Sequence, residues 1–368
     1  MGPRQRTVEN LVMNPAFWSG RKVFITGHTG FKGSWLAIWL ASIGAKVYGY
    51  STAPPTEPNL FVEARVAERL ASHTIGDVRD VSALTAAVVA AAPDVVFHLA
   101  AQSLVRRSYA DPGETYAVNV MGTVNLLEAL RSCGEVRAVV NVTTDKCYDN
   151  REWIWGYRET DPLGGRDPYS SSKACAELVT AAYRASFLAK SRVAVATARA
   201  GNVIGGGDWA PDRLLPDFFR ASDGGSTLDV RSPEATRPWQ HVLEPLSGYL
   251  LLAEKLFSDP ETCVEAWNFG PVDDDLRSVG RLLDQLTRSV PGSRWQHTGS
   301  EHHPHEAGYL KLDSSKARSK LGWRPRWTLD TALDATLAWH RAWRAGTDAH
   351  AVCMEQISAY QGALAAGA

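Results

Sequence analysis

The sequence predicts a doubly wound α/β fold on a parallel sheet, and three observations carry that prediction. Over the first 200 residues, β-prone runs alternate with amphipathic runs of about 10–15 residues, the rhythm of β-α-β units. The first β-prone run, Val23-Phe24-Ile25-Thr26, leads directly into glycines spaced GxxGxxG at Gly27, Gly30 and Gly33. Beyond residue 200 the rhythm gives way to short elements punctuated by Pro211, Pro216, Pro233 and Pro238, as expected of a smaller second lobe.

Strand, tight glycine turn and helix (Leu36, Ile38, Trp39, Leu40 and Ile43 on its apolar side) make a dinucleotide-binding element of the Rossmann type. Gly27 serves the turn, Gly30 lets backbone approach a pyrophosphate, and Gly33 packs helix on strand. The helix N-terminus then faces the phosphate charge. Thr29, Phe31 and Lys32 belong to the same loop. A second strand, Ala45 to Tyr50, ends at Tyr50-Ser51 without the acidic residue that ordinarily binds the ribose hydroxyls. Lys32 is a candidate partner for a 2′-phosphate, although no arginine follows the strand. These residues alone leave NAD and NADP both open.

Pro54 to Pro58 reads as a loop. Asp77, next to Val78, is either a helix cap or a partner of an adenine amino group. A helix over 83–92 precedes a buried strand, Asp94 to Ala101, whose small end (Leu99, Ala100, Ala101) suits backbone lying against a cofactor; His98 reads as a packed core histidine. Thr115 to Arg131 has helical apolar spacing, with Asn119 inside it either exposed or specifically bonded. A fifth strand, Val136 to Val142, ends in Thr143-Thr144-Asp145-Lys146, placing hydroxyl, carboxyl and amine where open α/β sheets gather ligands. Asp167-Pro168-Tyr169-Ser170-Ser171-Ser172-Lys173 then sets Tyr169 and Lys173 on one helix face, on a helix running to about Phe187. The nearby ammonium is expected to favour the phenolate. A sixth strand, Val193 to Ala200, leads into Asn202 and Gly205-Gly206-Gly207, read as room for a second ligand. Arg237 suits a diphosphate. Glu301-His302-His303-Pro304-His305-Glu306 resembles a ligand set, but the proline and the lack of i, i+4 histidines argue against metal.

The bulk numbers exclude several classes. Lys+Arg 39 against Asp+Glu 40 builds no general field for nucleic acid or anionic membrane. The most apolar stretch, residues 83–101, is broken by Pro93, Asp94 and His98, so no membrane span is expected. Five cysteines without a CxxC spacing, and no secretory signal, point to a reduced cytoplasmic protein. The expected division is an extension over 1–20, partly disordered; a cofactor domain with the catalytic residues over 21–200; and a substrate lobe over 201–345. Some segments of that lobe return to the first domain, and a tail covers 346–368.

GHTGFKGSW (27–35), HLAAQ (98–102), TTDKCY (143–148), DPYSSSK (167–173), AGNVIGGGDW (200–209), ATRPWQHV (235–242) and KLDSSKA (311–317) together resemble the extended short-chain dehydrogenase/reductase family of nucleotide-sugar enzymes. Within that family the resemblance runs to the 4,6-dehydratases acting on CDP-glucose; sister dehydratases carry Glu where Lys146 stands. The resemblance implies NAD as cofactor and CDP-glucose as substrate, in deoxysugar biosynthesis for O-antigen lipopolysaccharide. Tyr169 is then the base at the sugar 4-hydroxyl, helped by Thr144 and Lys173, and Asp145 the acid at the 6-hydroxyl. Lys146 is either the base at carbon 5 or a charged stabiliser of the enolate. Gln102, Ser103, Asn202, Arg237 and Tyr309 hold the substrate, and helices 115–131 and 170–187 assemble a homodimer or homotetramer. The rival within the family is another nucleotide-sugar dehydratase or an epimerase.

Overall fold

The computed structural model describes residues 13–189, 191–272, 275–299 and 308–366. Six strands follow the sequence in order: β1 (Lys22–Thr26), β2 (Lys46–Ser51), β3 (Ser72–Ile75), β4 (Val95–His98), β5 (Ala138–Val142) and β6 (Ala194–Ala200). With Ala266–Phe269 beside β6 they form one sheet ordered Ala266–Phe269, β6, β5, β4, β1, β2, β3. Every pairing is parallel. The order reverses between β1 and β4, so the crevice at their carboxyl ends is the natural ligand site.

Alternation divides the core between the two faces. Val23, Ile25, Val95, Phe97, Val140 and Ala196 pack on one side, against the helices Phe31–Ser42 and Leu243–Ser258. Phe24, Val96, Val139 and Val195 pack on the other, against the helices Val81–Ala91 and Gly122–Arg131. Runs buried on both faces are what a parallel sheet demands.

The short elements beyond residue 200 pair in twos: Val203–Ile204 with Gln240–His241, Thr227–Val230 with Arg294–His297, and Thr236–Arg237 with Arg277–Ser278. A separate core of Leu215, Phe218, Leu283, Leu286 and Leu333 supports them.

Two expectations are corrected. The stretch read as a C-terminal tail contains the helix Ala349–Ala366, with Cys353, Ile357 and Tyr360 fully buried in the main core. The Tyr360 hydroxyl donates to Glu244 Oε2 (2.7 Å), which fixes the helix to Leu243–Ser258. At the other end, Met13 and Trp18 are buried and Trp18 donates to Glu254 (2.7 Å), so the described end of the N-terminal extension is anchored on the core. Residues 1–12 and 300–307, which include the His/Glu cluster, lie outside the described residues.

Candidate active site

The glycine loop closes on the β4 loop. Gly27 has φ +78, and a Cβ there would stand 2.6 Å from the Ala100 nitrogen. Leu99 N donates to the Thr26 carbonyl (3.0 Å) and Ala100 N to Thr26 Oγ1 (3.2 Å), so both loops leave the sheet together. At Gly33 a Cβ would lie 2.1 Å from the Gly27 carbonyl oxygen, while at Gly30 the nearest atom would be 3.4 Å away. Gly33 therefore seats the helix, and Gly30 leaves room. The helix Phe31–Ser42 starts with Gly30 as N-cap and no side-chain cap, so its amide end faces the crevice. These features fit a pyrophosphate. We expect Gly33→Ala to cost about 3 kcal/mol or more, because backbone must move, as read from the urea unfolding midpoint.

At the end of β2, hydroxyls stand where an acid was sought: Thr29 Oγ1 lies 2.8 Å from Ser51 Oγ and donates to the Thr52 carbonyl (3.0 Å). Asp77 does not cap a helix; Asp80 does. Arg79 holds both Asp77 carboxylate oxygens, and the adjacent Val78 carbonyl accepts from Asn125 (2.9 Å). Burial lowers the pKa of Lys32 to about 8, and its charge is coupled to Arg213, Asp145, Lys173 and Asp208 on the catalytic side.

Asp167 caps the helix Pro168–Tyr183, which carries Tyr169 and Lys173, accepting from Ser170 N (2.9 Å) with Pro168 at the first turn. Tyr169 and Lys173 are thereby buried one turn apart. Burial dominates the electrostatics of both groups. Burial pushes the Tyr169 phenol up to about 12, opposed by its hydrogen bond with Thr144 and by Arg213. Burial lowers Lys173 to about 8, opposed by Glu177, and its Nζ donates to the Val142 carbonyl (3.2 Å). The Lys173 ammonium is thus bonded at the end of β5, one turn from the phenol.

Thr144 Oγ1 donates to Asp145 Oδ1 (2.9 Å) and accepts from Lys146 N (3.3 Å). Burial holds the Asp145 carboxyl above its ordinary range, against the pull of Lys146, Thr144, Arg237 and Lys32. Asp145 Oδ2 is buried without a hydrogen-bond partner among the described residues, and a Cβ at Gly201 would come within 3.2 Å of it. A buried carboxyl with one open oxygen is suited to donating a proton to a bound group.

The substrate candidates divide. Arg237 is buried, donates to the Thr236 carbonyl (3.0 Å), and acts on Asp145 through its charge. Tyr309 bridges Thr236 and accepts from Asn150 at its carbonyl (3.0 Å), beside Arg237. Asn202 is half-buried and receives Gln240 N at its carbonyl (3.0 Å). Gln102 instead bonds within the protein, to the Leu104 backbone and Thr115, while Asn119 ties its backbone to Ser172 of the catalytic helix. The glycines at 205–207 serve packing: a Cβ on Gly206 would lie 2.0 Å from Trp339, and one on Gly207 2.7 Å from Leu60.

The sequence reading missed Arg213. It donates to Asp208 (2.9 Å) and Ser103 (3.1 Å), and places a cation beside Tyr169. It also missed Glu177 and Arg199, a buried pair 2.8 Å apart behind the catalytic groups.

A glycine-loop crevice at the sheet's switch point, with a Tyr/Lys pair and a strand-end carboxyl facing it, defines an enzyme of the short-chain dehydrogenase/reductase class. Residues 24–336 match the family model described as GDP-mannose 4,6 dehydratase, and the chain belongs to that family. A CDP-glucose 4,6-dehydratase of Salmonella typhimurium is 52% identical over 353 residues, covering 94% of this chain and 98% of that protein. A dTDP-glucose 4,6-dehydratase of Xanthomonas campestris is 26% identical, covering 91% and 98%. Among solved structures, a dTDP-glucose 4,6-dehydratase of Streptomyces venezuelae with NAD bound superposes with a TM-score of 0.76 at 26% identity, covering 89% of this chain and 98% of that one.

Proposed function

We propose that this protein is a CDP-glucose 4,6-dehydratase, converting CDP-glucose to CDP-4-keto-6-deoxyglucose and water with NAD as a resident cofactor. The observation that carries the reading is the 52% identity, across nearly the whole of both chains, to the Salmonella enzyme of that name. The Asp145-Lys146 pair supports a dehydratase over an epimerase, since epimerisation at carbon 4 needs no elimination acid.

In this reading Tyr169 takes the proton of the 4-hydroxyl, with Thr144 hydrogen-bonded to it and Lys173 beneath. The glycine loop Gly27–Gly33 and Lys173 would hold NAD, which would supply the hydride acceptor for carbon 4 and the donor for carbon 6. The 4-ketone acidifies the carbon-5 proton, which passes to a neutral Lys146 amine as Asp145 protonates the departing 6-hydroxyl. A neutral amine beside a carboxylic acid carries the same number of protons as an ammonium–carboxylate pair. Elimination thus runs from the neutral pair, favoured by the burial of Asp145, to the ion pair. Arg237, with Arg213 across the site, supplies the charge for a diphosphate, and Asn202 and Tyr309 border it.

The chain works as a cytoplasmic homodimer or homotetramer in this account. Met121 and Tyr116, with Leu178 and Phe187 on the catalytic helix and its extension, leave apolar side chains outward for a second copy. Among the described residues no helix is long and apolar enough to cross a membrane, and all five cysteines are free.

The deciding experiment offers CDP-, dTDP-, UDP- and GDP-glucose to the purified protein, then CDP-glucose deuterated at carbon 4. We expect a 4-keto-6-deoxy product from the CDP sugar, with the deuterium recovered at carbon 6. Stoichiometric release of NADH, or an epimer as the only product, counts against the reading. Lys146→Met is expected to stop exchange of the carbon-5 proton with solvent while oxidation at carbon 4 persists; retained exchange would move the base elsewhere.

A further inference from the structure

We propose that Glu177 is a positioning residue that holds the two catalytic sets of this site, the Tyr169/Lys173 helix and the Thr144-Asp145-Lys146 strand end, in one fixed relation. The inference rests on the dehydratase reading above. Glu177 lies one helical turn beyond Lys173 and two beyond Tyr169, only 4% exposed. Each of its oxygens reaches a different strand. Oε1 accepts from Thr143 Oγ1 (2.5 Å), the residue immediately before Thr144. Oε2 accepts from Thr197 Oγ1 (2.7 Å) and Arg199 Nη2 (2.8 Å), both on β6. Arg199 continues the network to the Tyr148 hydroxyl (2.8 Å), which donates to Asn268 Oδ1 (2.7 Å) on the edge strand. One carboxylate thus joins the catalytic helix, the ends of β5 and β6, and, through Arg199, the segment following Lys146.

A buried carboxylate is costly, and a Glu–Arg pair alone would be poor evidence of stabilisation. Its placement argues for function. The bond to Thr143 fixes where the chain turns out of the sheet toward Thr144 and Asp145, and a shift there of a fraction of an ångström displaces the elimination acid relative to the phenol. The carboxylate also bears on Lys173 through charge. Besides Glu177, the group acting most on Lys173 is Cys147, with Lys32 and His98 within reach of its charge and Arg199 beyond Glu177. Burial lowers Lys173, and Glu177 supports its ammonium form.

Two variants separate these effects. Thr143→Val removes the strand-end bond and no charge. Glu177→Gln removes the charge and keeps the length. In Thr143→Val we expect turnover to fall at least tenfold, with reduced cofactor accumulating on the enzyme because oxidation outlasts elimination. In Glu177→Gln the high-pH limb of carbon-4 oxidation, followed as bound reduced nicotinamide in a single turnover and so independent of the Asp145 acid, should move down by about one pH unit or more, as Lys173 loses its proton earlier; Glu177→Asp should restore it. A purely structural role would lower the unfolding midpoint without moving that limb. Wild-type turnover in Thr143→Val, or a wild-type limb in a folded Glu177→Gln, overturns the proposal. If Glu177→Gln does not fold, the Thr143→Val result decides alone. The unmodified enzyme assayed with CDP-glucose tests the dehydratase reading separately.

Discussion

Tyr169→Phe is expected to lower kcat by about 10²–10⁴-fold, the usual contribution of a positioned base, or roughly 3–5 kcal/mol of transition-state stabilisation. The affinity for the nucleotide sugar should hardly change, since Arg237 and Arg213 remain. The size of the effect follows from the environment of the phenol. Burial pushes Tyr169 up to about 12, so near neutrality the hydroxyl is protonated and must be drawn into service by what binds beside it. The Arg213 guanidinium is the protein's own charge in favour of the phenolate, with the Thr144 hydroxyl alongside. Lys173→Met should cost a comparable factor through lost support at the Val142 carbonyl. Steady-state assays with equilibrium binding measured in parallel check both. Wild-type turnover in Tyr169→Phe would remove the phenol from the mechanism.

What could be read in advance was local. The glycine loop, the Thr-Asp-Lys strand end and the i, i+4 Tyr/Lys pair each have their geometry set by a few neighbouring residues, so pattern and spacing were enough. The strand and helix rhythm likewise reports a sheet buried on both faces. Contacts made across the sheet were not legible. Glu177 and Arg199 look like ordinary charges on a helix and in a strand until the strand order places them face to face. Gly205-Gly206-Gly207 announces a close approach without naming the neighbours, which include Trp339 and Leu60. Lys173 illustrates the same limit. Spacing puts it on the face of Tyr169, but only the tertiary structure shows its Nζ committed to a β5 carbonyl. The C-terminal helix was missed because its small-residue composition carries a weak stripe, and its burial depends on Glu244, more than a hundred residues earlier.

Asp145→Asn should divide the reaction at its midpoint. An amide of nearly the same shape keeps the bond from Thr144 as an acceptor, so the strand end and the Tyr169 environment stay intact. It cannot donate a proton acidic enough to release a 6-hydroxyl. Oxidation at carbon 4 does not call on Asp145, and we expect it to proceed at close to the normal rate. Elimination should slow by about 10²–10⁴-fold. On rapid mixing with CDP-glucose, the absorbance of bound reduced nicotinamide should therefore rise and persist, well above the level in the unmodified enzyme. The pH profile supplies a second reading with a definite sign. Burial keeps the Asp145 carboxyl protonated to higher pH than an ordinary carboxylate, so activity that needs the acid form is complete below that raised pKa and lost as pH climbs through it. Asp145→Asn has no such proton to lose, and its residual turnover should lack that limb. Arg237 and Lys32 pull the carboxyl down, so Arg237→Met should move the same limb to higher pH even as it weakens substrate binding. Normal dehydration by Asp145→Asn would place the acid on another group, and Lys146, the nearest remaining proton carrier on that strand end, would be the first to test.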